Sequence, residues 1–293
     1  MDPVLCIGDR RRRNNAHDTP VVFHAMMEPI MSNSPKICLT IGGSDPSGGA
    51  GIQADLKTFE AWRTFGMSAL TLVTAQNTQG VQDVHLLAPD LVKAQLRSVF
   101  DDFTLDGIKI GALGGSSVID AVAEHLDAHP HPLLVLDPVM VSKHGGRLFD
   151  AEGEAKLIDR ILPHAHLITP NLAEASVLVG EPVDENSAQS AALQLSKTHD
   201  VAVLITGGRT QGETVTDWFA HNGHAQTFTH PRVLGHHQHG AGCTLSAAIA
   251  AALAHNTPLL HAIPHARRYV HKAMRHAPQI GHGEGPLHHR IER

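Results

Sequence analysis

Short runs of aliphatic and β-branched residues alternate with amphipathic stretches along most of this chain. The run KICLTIG, from Lys36, predicts a buried strand, and the AGIQADLKTFEAW that follows its glycine-rich end predicts a helix, because Ile52, Leu56 and Phe59 recur at helical spacing. The run PLLVLDPVMV is apolar almost throughout, which is typical of a strand covered on both faces. This alternation predicts an α/β sandwich with a mostly parallel sheet.

The same pattern continues to the end of the chain. Further strands are expected at SALTLVTAQ, GVQDVHLLA, DGIKIGAL, AHLITPN and VAVLITGG, and a hairpin at TVTDWFA and AQTFTH. Further helices are expected at PDLVKAQLRSVFDDF, SSVIDAVAEHLDAH, AEGEAKLIDRIL, LAEASVLVG, SAQSAALQLSKTH, GAGCTLSAAIAAALAH and PLLHAIPHARRYVHKAM. Since no linker rich in Pro, Gly or Ser interrupts the series, we expect one domain over residues 36–293.

The first 35 residues have a different character, without hydrophobic periodicity. Their basic run RRRR, at Arg10–Arg13, resembles part of a targeting segment, but a transit peptide avoids acids and this stretch contains Asp2, Asp9, Asp18 and Glu28. No apolar stretch of secretory-signal length follows the arginines. We therefore expect residues 1–35 to be a disordered extension.

Composition narrows the class of protein. The 293 residues carry a net charge of −6, which does not indicate a nucleic-acid or membrane-surface partner, and no apolar run is long enough to span a bilayer. Three widely spaced cysteines without a CxxC pair fit a reducing, cytoplasmic compartment. The 24 histidines cluster at His236, His237 and His239 and at His288 and His289, but no carboxylate or cysteine completes either set, so we expect solvated polar positions there.

Two glycine-rich stretches precede predicted helices, at residues 48–51 and 240–242. A helix N-terminus carries partial positive charge and unpaired N–H groups, and glycines let an anion approach them closely. Neither stretch fits GxxxxGK[ST] or GxGxxG. One such loop alone is as readily a tight turn, whereas two of them in one α/β domain favour phosphate handling.

Cys243 is placed in the first turn of the helix that follows the second glycine stretch. The backbone N–H groups of Gly240, Ala241, Gly242 and Cys243 could converge on an oxyanion or a transferring phosphoryl group. A helix N-terminus lowers a thiol pKa, so Cys243 is a candidate base. The alternative is a small buried hydrophobe, which is the usual state of a free cysteine.

Several polar residues lie where ligands bind in parallel sheets, just beyond strand ends. Asp55 shares the apolar face of its predicted helix, so it either binds a ligand or fixes the glycine loop. Gln76 offers a donor and an acceptor to a heteroaromatic edge, or else caps its strand. Asp137 and the pair Asn171 and Glu174 follow other strands, where carboxylates either hold Mg²⁺ through water or serve the local structure, in Glu174 by favouring the helix dipole.

A series of motifs in order resembles one family. They are TIGGSDPSGGAGIQADLKTF (40–59), AQNTQGV (75–81), KIGAL (109–113), DPVMVSKHG (137–145), LITPNLAEA (167–175), HGAGCTLSAA (239–248) and GPLHH (285–289). Together they resemble the hydroxymethylpyrimidine/phosphomethylpyrimidine kinases of the ribokinase-like superfamily. The resemblance implies a three-layer α/β/α fold, a homodimer, and a kinase that uses ATP and Mg²⁺. It implies phosphorylation of 4-amino-5-hydroxymethyl-2-methylpyrimidine and then of its monophosphate.

The resemblance also assigns roles in substrate binding and catalysis. Gln76 would bind the aminopyrimidine edge, in a pocket lined by Gly43, Asp55 and Val139. Cys243 would stand where related sugar kinases carry an aspartate base, beside an anion hole made of Gly240, Ala241 and Gly242. The glycines of residues 42–51 would close over the pyrimidine and the phosphate of its monophosphate.

The resemblance also implies which residues bind ATP and Mg²⁺. Asn171 and Glu174 would organise Mg²⁺ and the ATP phosphates, with Thr206, Gly207 and Gly208 bordering the nucleotide. Two departures affect these details, because Thr206 replaces a lysine of some members and Ala112 replaces a methionine that can line the pyrimidine pocket. Two alternatives remain: a pyridoxal kinase of the same superfamily, and a metabolite-binding relative without catalysis.

Overall fold

Strands and helices alternate through the chain as the apolar runs predict. The computed structural model describes residues 34–140, 151–208, 212–235 and 238–291, and the described residues from Pro35 onward form one compact unit. Almost all of the predicted N-terminal extension, the end of the DPVMVSKHGG loop, the RTQ of the loop after VAVLITGG, and His236 and His237 lie outside the described residues. The predictions that concern them stay predictions.

A nine-stranded sheet forms the middle of the molecule, in the order β3-β2-β1-β4-β5-β6-β7-β8-β9. The six strands from β2 to β7 in that order run parallel, whereas β3, β8 and β9 are antiparallel to their neighbours. Their bounds are β1 Lys36–Ser44, β2 Thr64–Asn77, β3 Gly80–Leu86, β4 Gly107–Ile110, β5 Leu134–Leu136, β6 Leu167–Ile168, β7 Ala202–Ile205, β8 Thr214–His221 and β9 His224–Pro231.

Helices cover both faces of the sheet, because successive strand residues point to opposite sides. On β5, Leu134 and Leu136 join one buried core and Val135 joins the other. The first core contains residues of α2 (Pro89–Phe100), α3 (Ser116–Ala128), α5 (Leu172–Val179) and α6 (Ala188–His199), and the second contains residues of α1 (Gly51–Ala61), α7 (Ala241–Ala254) and α8 (Leu259–Arg275). The predicted three-layer α/β/α sandwich is confirmed.

Two predicted elements are shorter or less regular than their patterns suggest. The strand expected over PLLVLDPVMV pairs only at Leu134–Leu136, because Pro138 has no N–H for the ladder and the Val139 N–H turns back to the Asp137 carbonyl, 2.8 Å away. The helix expected over AEGEAKLIDRIL begins as α4 (Ala151–Lys156) and continues as a π-helical turn, Leu157–Ile161, before a 3₁₀ turn.

The topology directs the ends of the parallel strands to one edge. β1 is followed in sequence by β2 on one side of it, while β4 adds on the other, so the strand order reverses beside β1. Ligands of open parallel sheets bind beyond the carboxyl ends of strands at such a reversal. Within the part of the chain that the structure describes, no helix is long and apolar enough to cross a membrane.

Candidate functional site

A cavity of about 420 Å³ opens at the carboxyl ends of the parallel strands. Gln76, at the end of β2, and Cys243, in the first turn of α7, both line it. Nearly all the residues predicted for the site share this lining: Gly43, Asp55, Gln76, Asp137, Val139, Asn171, Glu174, Thr206, Gly208, Gly240, Ala241, Gly242 and Cys243. Residues as far apart along the chain as Gln76 and Gly240, which are 164 positions apart, are thus brought to one site.

The two glycine-rich loops pack directly against each other. A Cβ built on Gly240 would lie 1.8 Å from the Gly49 carbonyl oxygen, and one built on Gly49 would lie 2.4 Å from the His239 ring. Gly240 also has a φ of +83°, a left-handed conformation that glycine adopts without strain. Contact between the loops therefore accounts for these two glycines, which the sequence had suggested were reserved for a ligand.

Cys243 does not have the lowered pKa that its place at a helix start predicts. Burial raises the pKa of the thiol to about 12, because a thiolate would lose its hydration, and Asp137 and Asp55 add to the effect. Lys109 and a hydrogen bond from the backbone of Gly51 oppose it without reversing it. The prediction of a lowered thiol pKa was wrong, because the loss of hydration outweighs the attraction of Lys109 and the hydrogen bond from Gly51.

Lys109 is a cavity residue that the sequence analysis missed as a site residue. Its Nζ, on β4, lies 2.9 Å from Asp55 Oδ2, and both side chains are 1% exposed. The Thr40 hydroxyl donates to the same oxygen over 2.6 Å. Burial alone would lower the pKa of the Lys109 ammonium, but the attraction of Asp55, together with Cys243 and Asp137, outweighs it and raises that pKa. A lysine within the apolar run DGIKIGAL was the signal that could have revealed this ion pair.

Asp45 and His239 form a second buried link between the two loops. Oδ2 of Asp45 accepts a hydrogen bond from His239 Nε2 over 2.8 Å and another from the Ala50 N–H over 2.8 Å. Burial alone would raise the pKa of the Asp45 carboxyl, but these hydrogen bonds and those from Ser47 lower it to about 2. The carboxylate is therefore ionised, and it fixes the imidazole at the cavity wall.

Asn171 and Glu174 make a capping box at the start of α5. The Asn171 side chain accepts from the Glu174 N–H over 3.0 Å, and Glu174 Oε2 accepts from the Asn171 N–H over 2.9 Å. This is the local structural role that the sequence left open for them. Both residues also line the cavity, so the capping box lies at the cavity wall.

The carboxylates of the cavity suit a magnesium ion whose other ligands are water and the phosphates of a nucleotide. Asp137 and Glu174 supply oxygen donors, and burial raises the pKa of Asp137. No group of three or more His, Cys, Asp or Glu side chains that could hold a metal occurs among the described residues. Since Mg²⁺ is commonly bound by one or two carboxylates with water and substrate phosphates, these two residues fit it.

The end of β7 carries the predicted nucleotide-bordering residues, which are not all placed alike. Thr206 and Gly208 line the cavity, but Gly207 does not. The Gly207 N–H donates to Asp217 Oδ1 over 3.1 Å, and a Cβ on Gly207 would lie 2.0 Å from the Thr216 carbonyl oxygen. Gly207 therefore packs against β8 and has a structural role, and its place at the nucleotide stays a prediction.

An ion pair that the sequence did not indicate supports this end of the cavity. The Arg267 guanidinium, on α8, contacts the Asp217 carboxylate, and Arg267 also lines the cavity. Burial alone would raise the pKa of Asp217, but the attraction of Arg267 lowers it. The ionised pair ties α8 to β8 and, through the Gly207 N–H, to the end of β7.

Comparison with known proteins gives a consistent picture. The sequence profile described as phosphomethylpyrimidine kinase matches residues 45–288. The chain is 44% identical over 264 residues to the hydroxymethylpyrimidine/phosphomethylpyrimidine kinase of Haemophilus influenzae, covering 88% of this chain and 98% of that protein. It is 44% identical over 255 residues to the Escherichia coli protein of the same name, covering 86% and 96%.

Two solved structures with the same fold are of proteins named phosphomethylpyrimidine kinase and pyridoxal kinase. A phosphomethylpyrimidine kinase from Clostridium difficile superposes with a TM-score of 0.72 at 36% identity, covering 82% of this chain and 99% of that one. An ADP complex of Bacillus subtilis pyridoxal kinase superposes with a TM-score of 0.80 at 34% identity, covering 87% and 98%. The fold is ribokinase-like, and by sequence profile, identity and coverage the chain belongs to the phosphomethylpyrimidine kinase family.

Proposed function

We propose that this protein is an ATP-dependent kinase that phosphorylates 4-amino-5-hydroxymethyl-2-methylpyrimidine and then its monophosphate, in thiamine biosynthesis. One observation carries the proposal: Gln76, which suits a heteroaromatic edge, shares a cavity with Cys243 and the N-terminus of α7. A volume of about 420 Å³ lies in the range of pockets that bind small molecules. Relatives that match nearly the whole described chain carry this activity in their names.

In the first reaction, the alcohol oxygen of the pyrimidine bonds to the γ-phosphorus of ATP as the bond to the β–γ bridging oxygen breaks. The bridging oxygen leaves with ADP, and the alcohol gives up its proton. Such transfers depend on positioning and on stabilising charge more than on covalent help. The Gly242 and Cys243 N–H groups, in the first turn of α7, would stabilise the phosphoryl oxygens, because first-turn N–H groups lack intrahelical acceptors. The Ala241 N–H already donates to the Gln238 carbonyl over 3.2 Å.

ATP and magnesium would occupy the part of the cavity between the start of α5 and the ends of β6 and β7. Asn171, Glu174 and Asp137 would hold Mg²⁺, and Thr206 and Gly208 would border the nucleotide. When bound, the ion would neutralise charge on the phosphates. The ADP complex of the similar Bacillus subtilis protein supports a nucleotide site in this fold.

An assay of ATP consumption tests the function directly. Purified protein with ATP and Mg²⁺ is expected to consume ATP when the pyrimidine alcohol is added and again when the monophosphate is supplied, with the diphosphate identified by mass spectrometry. No consumption with either compound would contradict the proposal and would favour the metabolite-binding alternative.

A pyridoxal kinase activity is the second candidate, because proteins with that name superpose well on this chain. Pyridoxal is also a heteroaromatic alcohol. Measuring kcat/KM for both alcohols under the same conditions distinguishes the two activities, and a higher value for pyridoxal would reverse the assignment.

Cys243→Ala is expected to lower kcat about 10²-fold, the lower end of what general bases contribute, and to change KM for the pyrimidine little. The raised thiol pKa gives this prediction a pH test. If Cys243 accepts the proton as thiolate, its ionised fraction grows about tenfold per pH unit below a pKa of about 12, so kcat should rise between about pH 6 and 9. The rise should vanish in Cys243→Ala, and an unchanged kcat in that variant would remove the base role.

The proposed enzyme is a cytoplasmic homodimer. Strand β3 lies at one edge of the sheet and exposes Val84 and Leu86, and the neighbouring β2 exposes Phe65 and Val73. Apolar side chains on an edge strand are commonly covered by a partner. Sedimentation of the purified protein would show whether a second copy covers them.

A further inference from the structure

The Gln76 amide is held between two polar neighbours, and the inference drawn from this rests on the proposed function. In the structure as placed, the amide nitrogen Nε2 lies 3.3 Å from His239 Nε2, and the amide oxygen Oε1 lies 3.2 Å from the Thr74 hydroxyl. His239 is also bound to Asp45, and Thr74 is bound to the Ser44 carbonyl oxygen over 3.0 Å. The hydrogen-bonding requirements of His239 and Thr74 determine which end of the amide accepts and which end donates.

The His239 ring nitrogen Nε2 carries a hydrogen. Its partner Asp45 Oδ2, 2.8 Å away, belongs to an ionised carboxylate and can only accept. A ring with its hydrogen on Nδ1 alone would direct a lone pair at this oxygen. Both the imidazolium and the tautomer with a hydrogen on Nε2 avoid that repulsion, so His239 presents a donor on this side whatever its charge.

The hydrogen on His239 Nε2, which Asp45 Oδ2 accepts, favours the amide oxygen over the amide nitrogen at the facing end of Gln76. The two ends of an amide have nearly the same shape, and hydrogen-bond partners decide which is which. An amide nitrogen facing His239 would set two donors against each other. It would also require the single Thr74 hydroxyl hydrogen to serve both the Ser44 carbonyl and the amide oxygen. Rotating the amide end for end from that placement puts Oε1 toward His239 and lets Nε2 donate to the Thr74 oxygen, so Thr74 keeps its hydrogen for the Ser44 carbonyl and no two donors face each other.

We propose that His239, anchored by Asp45, is a positioning residue that sets substrate specificity by fixing the Gln76 amide with its acceptor toward Gly240 and its donor toward Thr74. The site therefore selects heteroaromatic alcohols in which an exocyclic amine lies between a ring nitrogen and the carbon bearing the hydroxymethyl group. The amine donates to Gln76 Oε1, and the ring nitrogen accepts from Gln76 Nε2.

The polarity of the amide also determines where the reacting oxygen goes. In 4-amino-5-hydroxymethyl-2-methylpyrimidine the amine is flanked by N3 on one side and by the hydroxymethyl-bearing carbon on the other. With N3 on the Thr74 side, the hydroxymethyl group would lie on the His239 side of the amide, in the cavity that Gly240 and Cys243 also line. The opposite amide orientation would direct it away from the start of α7.

The experiment compares two substrates that present opposite edges to Gln76. The 4-oxo analogue of the pyrimidine alcohol has an acceptor oxygen at position 4 and a donor N3–H. Wild type is expected to prefer the amine by at least about 10²-fold in kcat/KM, because reversed partners leave buried donors and acceptors unpaired. In His239→Leu the amide can rotate, so this ratio is expected to fall at least about tenfold.

Two variants separate positioning from a general structural effect. His239→Gln places an amide with two hydrogens between Asp45 and Gln76, and it is expected to keep most of the discrimination. His289→Ala removes another buried histidine, which contacts Thr244 over 3.0 Å and does not line the cavity, so the ratio should stay at the wild-type value. A purely structural effect would lower both activities equally and leave the ratio unchanged.

Each outcome bears on one of the two proposals. If wild type phosphorylates neither compound, the proposed function fails and this inference fails with it. If wild type phosphorylates the amine but a folded His239→Leu keeps the full ratio, only the inference is overturned. Should His239→Leu not fold, two other variants apply: Asp45→Asn removes the anchor of His239, and Thr74→Val removes the hydroxyl at the other end of the amide. Unchanged kcat/KM ratios in both variants would overturn the inference equally.

Discussion

Gly240→Ala is expected to lower kcat/KM about 10³-fold, the loss seen when a donor to a developing oxyanion is displaced. The added Cβ would lie 1.8 Å from the Gly49 carbonyl oxygen, which is backbone and cannot rotate away. The two loops must therefore separate, and the start of α7 moves relative to Gln76. Steady-state kinetics with the pyrimidine alcohol measure the loss, and thermal unfolding measures the accompanying change in stability.

Gly180→Ala is the matched control for this substitution. Gly180 ends α5 with φ +84° and ψ +7°, almost the backbone conformation of Gly240, which has φ +83° and ψ +10°. Nothing lies within 4 Å of a Cβ built on Gly180. The control therefore has only the left-handed strain, about 1–2 kcal/mol, and should keep its kcat/KM. Equal losses of activity in both variants would show that contact between the loops is not what matters.

Lys109→Met is expected to lower the free energy of unfolding by about 3–5 kcal/mol, because it leaves the buried Asp55 carboxylate without its cation. The Asp55 Oδ1 atom has no hydrogen-bond partner among the described residues, so the hydrogen bond from the Thr40 hydroxyl to Oδ2 would be left to compensate the charge. Methionine fills a similar volume, which keeps a cavity from contributing. Urea denaturation followed by circular dichroism measures the change.

The loss in Lys109→Met should depend on pH in a definite direction. Burial raises the pKa of Asp55 even beside Lys109, whose charge and hydrogen bond lower it, so removing the ammonium raises that pKa further above its value of about 3.9 in the unfolded chain. The folded state then binds more protons, so stability falls as pH rises and the loss is smaller at about pH 4 than at about pH 8. Lys93→Met removes an exposed pair with Glu124 and should change stability little at either pH, whereas a pH-independent loss in Lys109→Met would contradict the ion-pair explanation.

Local patterns predict most of the secondary structure of this protein because they follow from a single segment. Ile52 and Phe59 lie on the buried face of α1 as their spacing indicates, and β8 and β9 form the expected hairpin. β5 ends earlier than its apolar run predicts, and the reason is local. The apolar run continues past Pro138, but Pro138 has no N–H to donate to a neighbouring strand.

The sequence identifies most residues of the candidate site, but not the distant residues that contact them. Cys243, Gln76 and the two glycine loops were singled out by type and place, and they share a cavity. The link between Asp45 and His239 joins residues 194 positions apart, and no spacing rule connects them. The thiol pKa was predicted in the wrong direction because a helix start is visible in sequence, whereas the burial of Cys243 depends on the whole fold.

The turn after Gln76 is held by a distant part of the chain. Thr78 Oγ1 accepts from the N–H groups of His282 and Gly283, and the Thr78 carbonyl accepts from the Glu284 N–H. During translation, the end of β2 that carries Gln76 is therefore synthesised some 200 residues before the segment that restrains it. A nascent chain released from the ribosome before residue 284 should have its sheet in place and still be unable to retain the vitamin precursor.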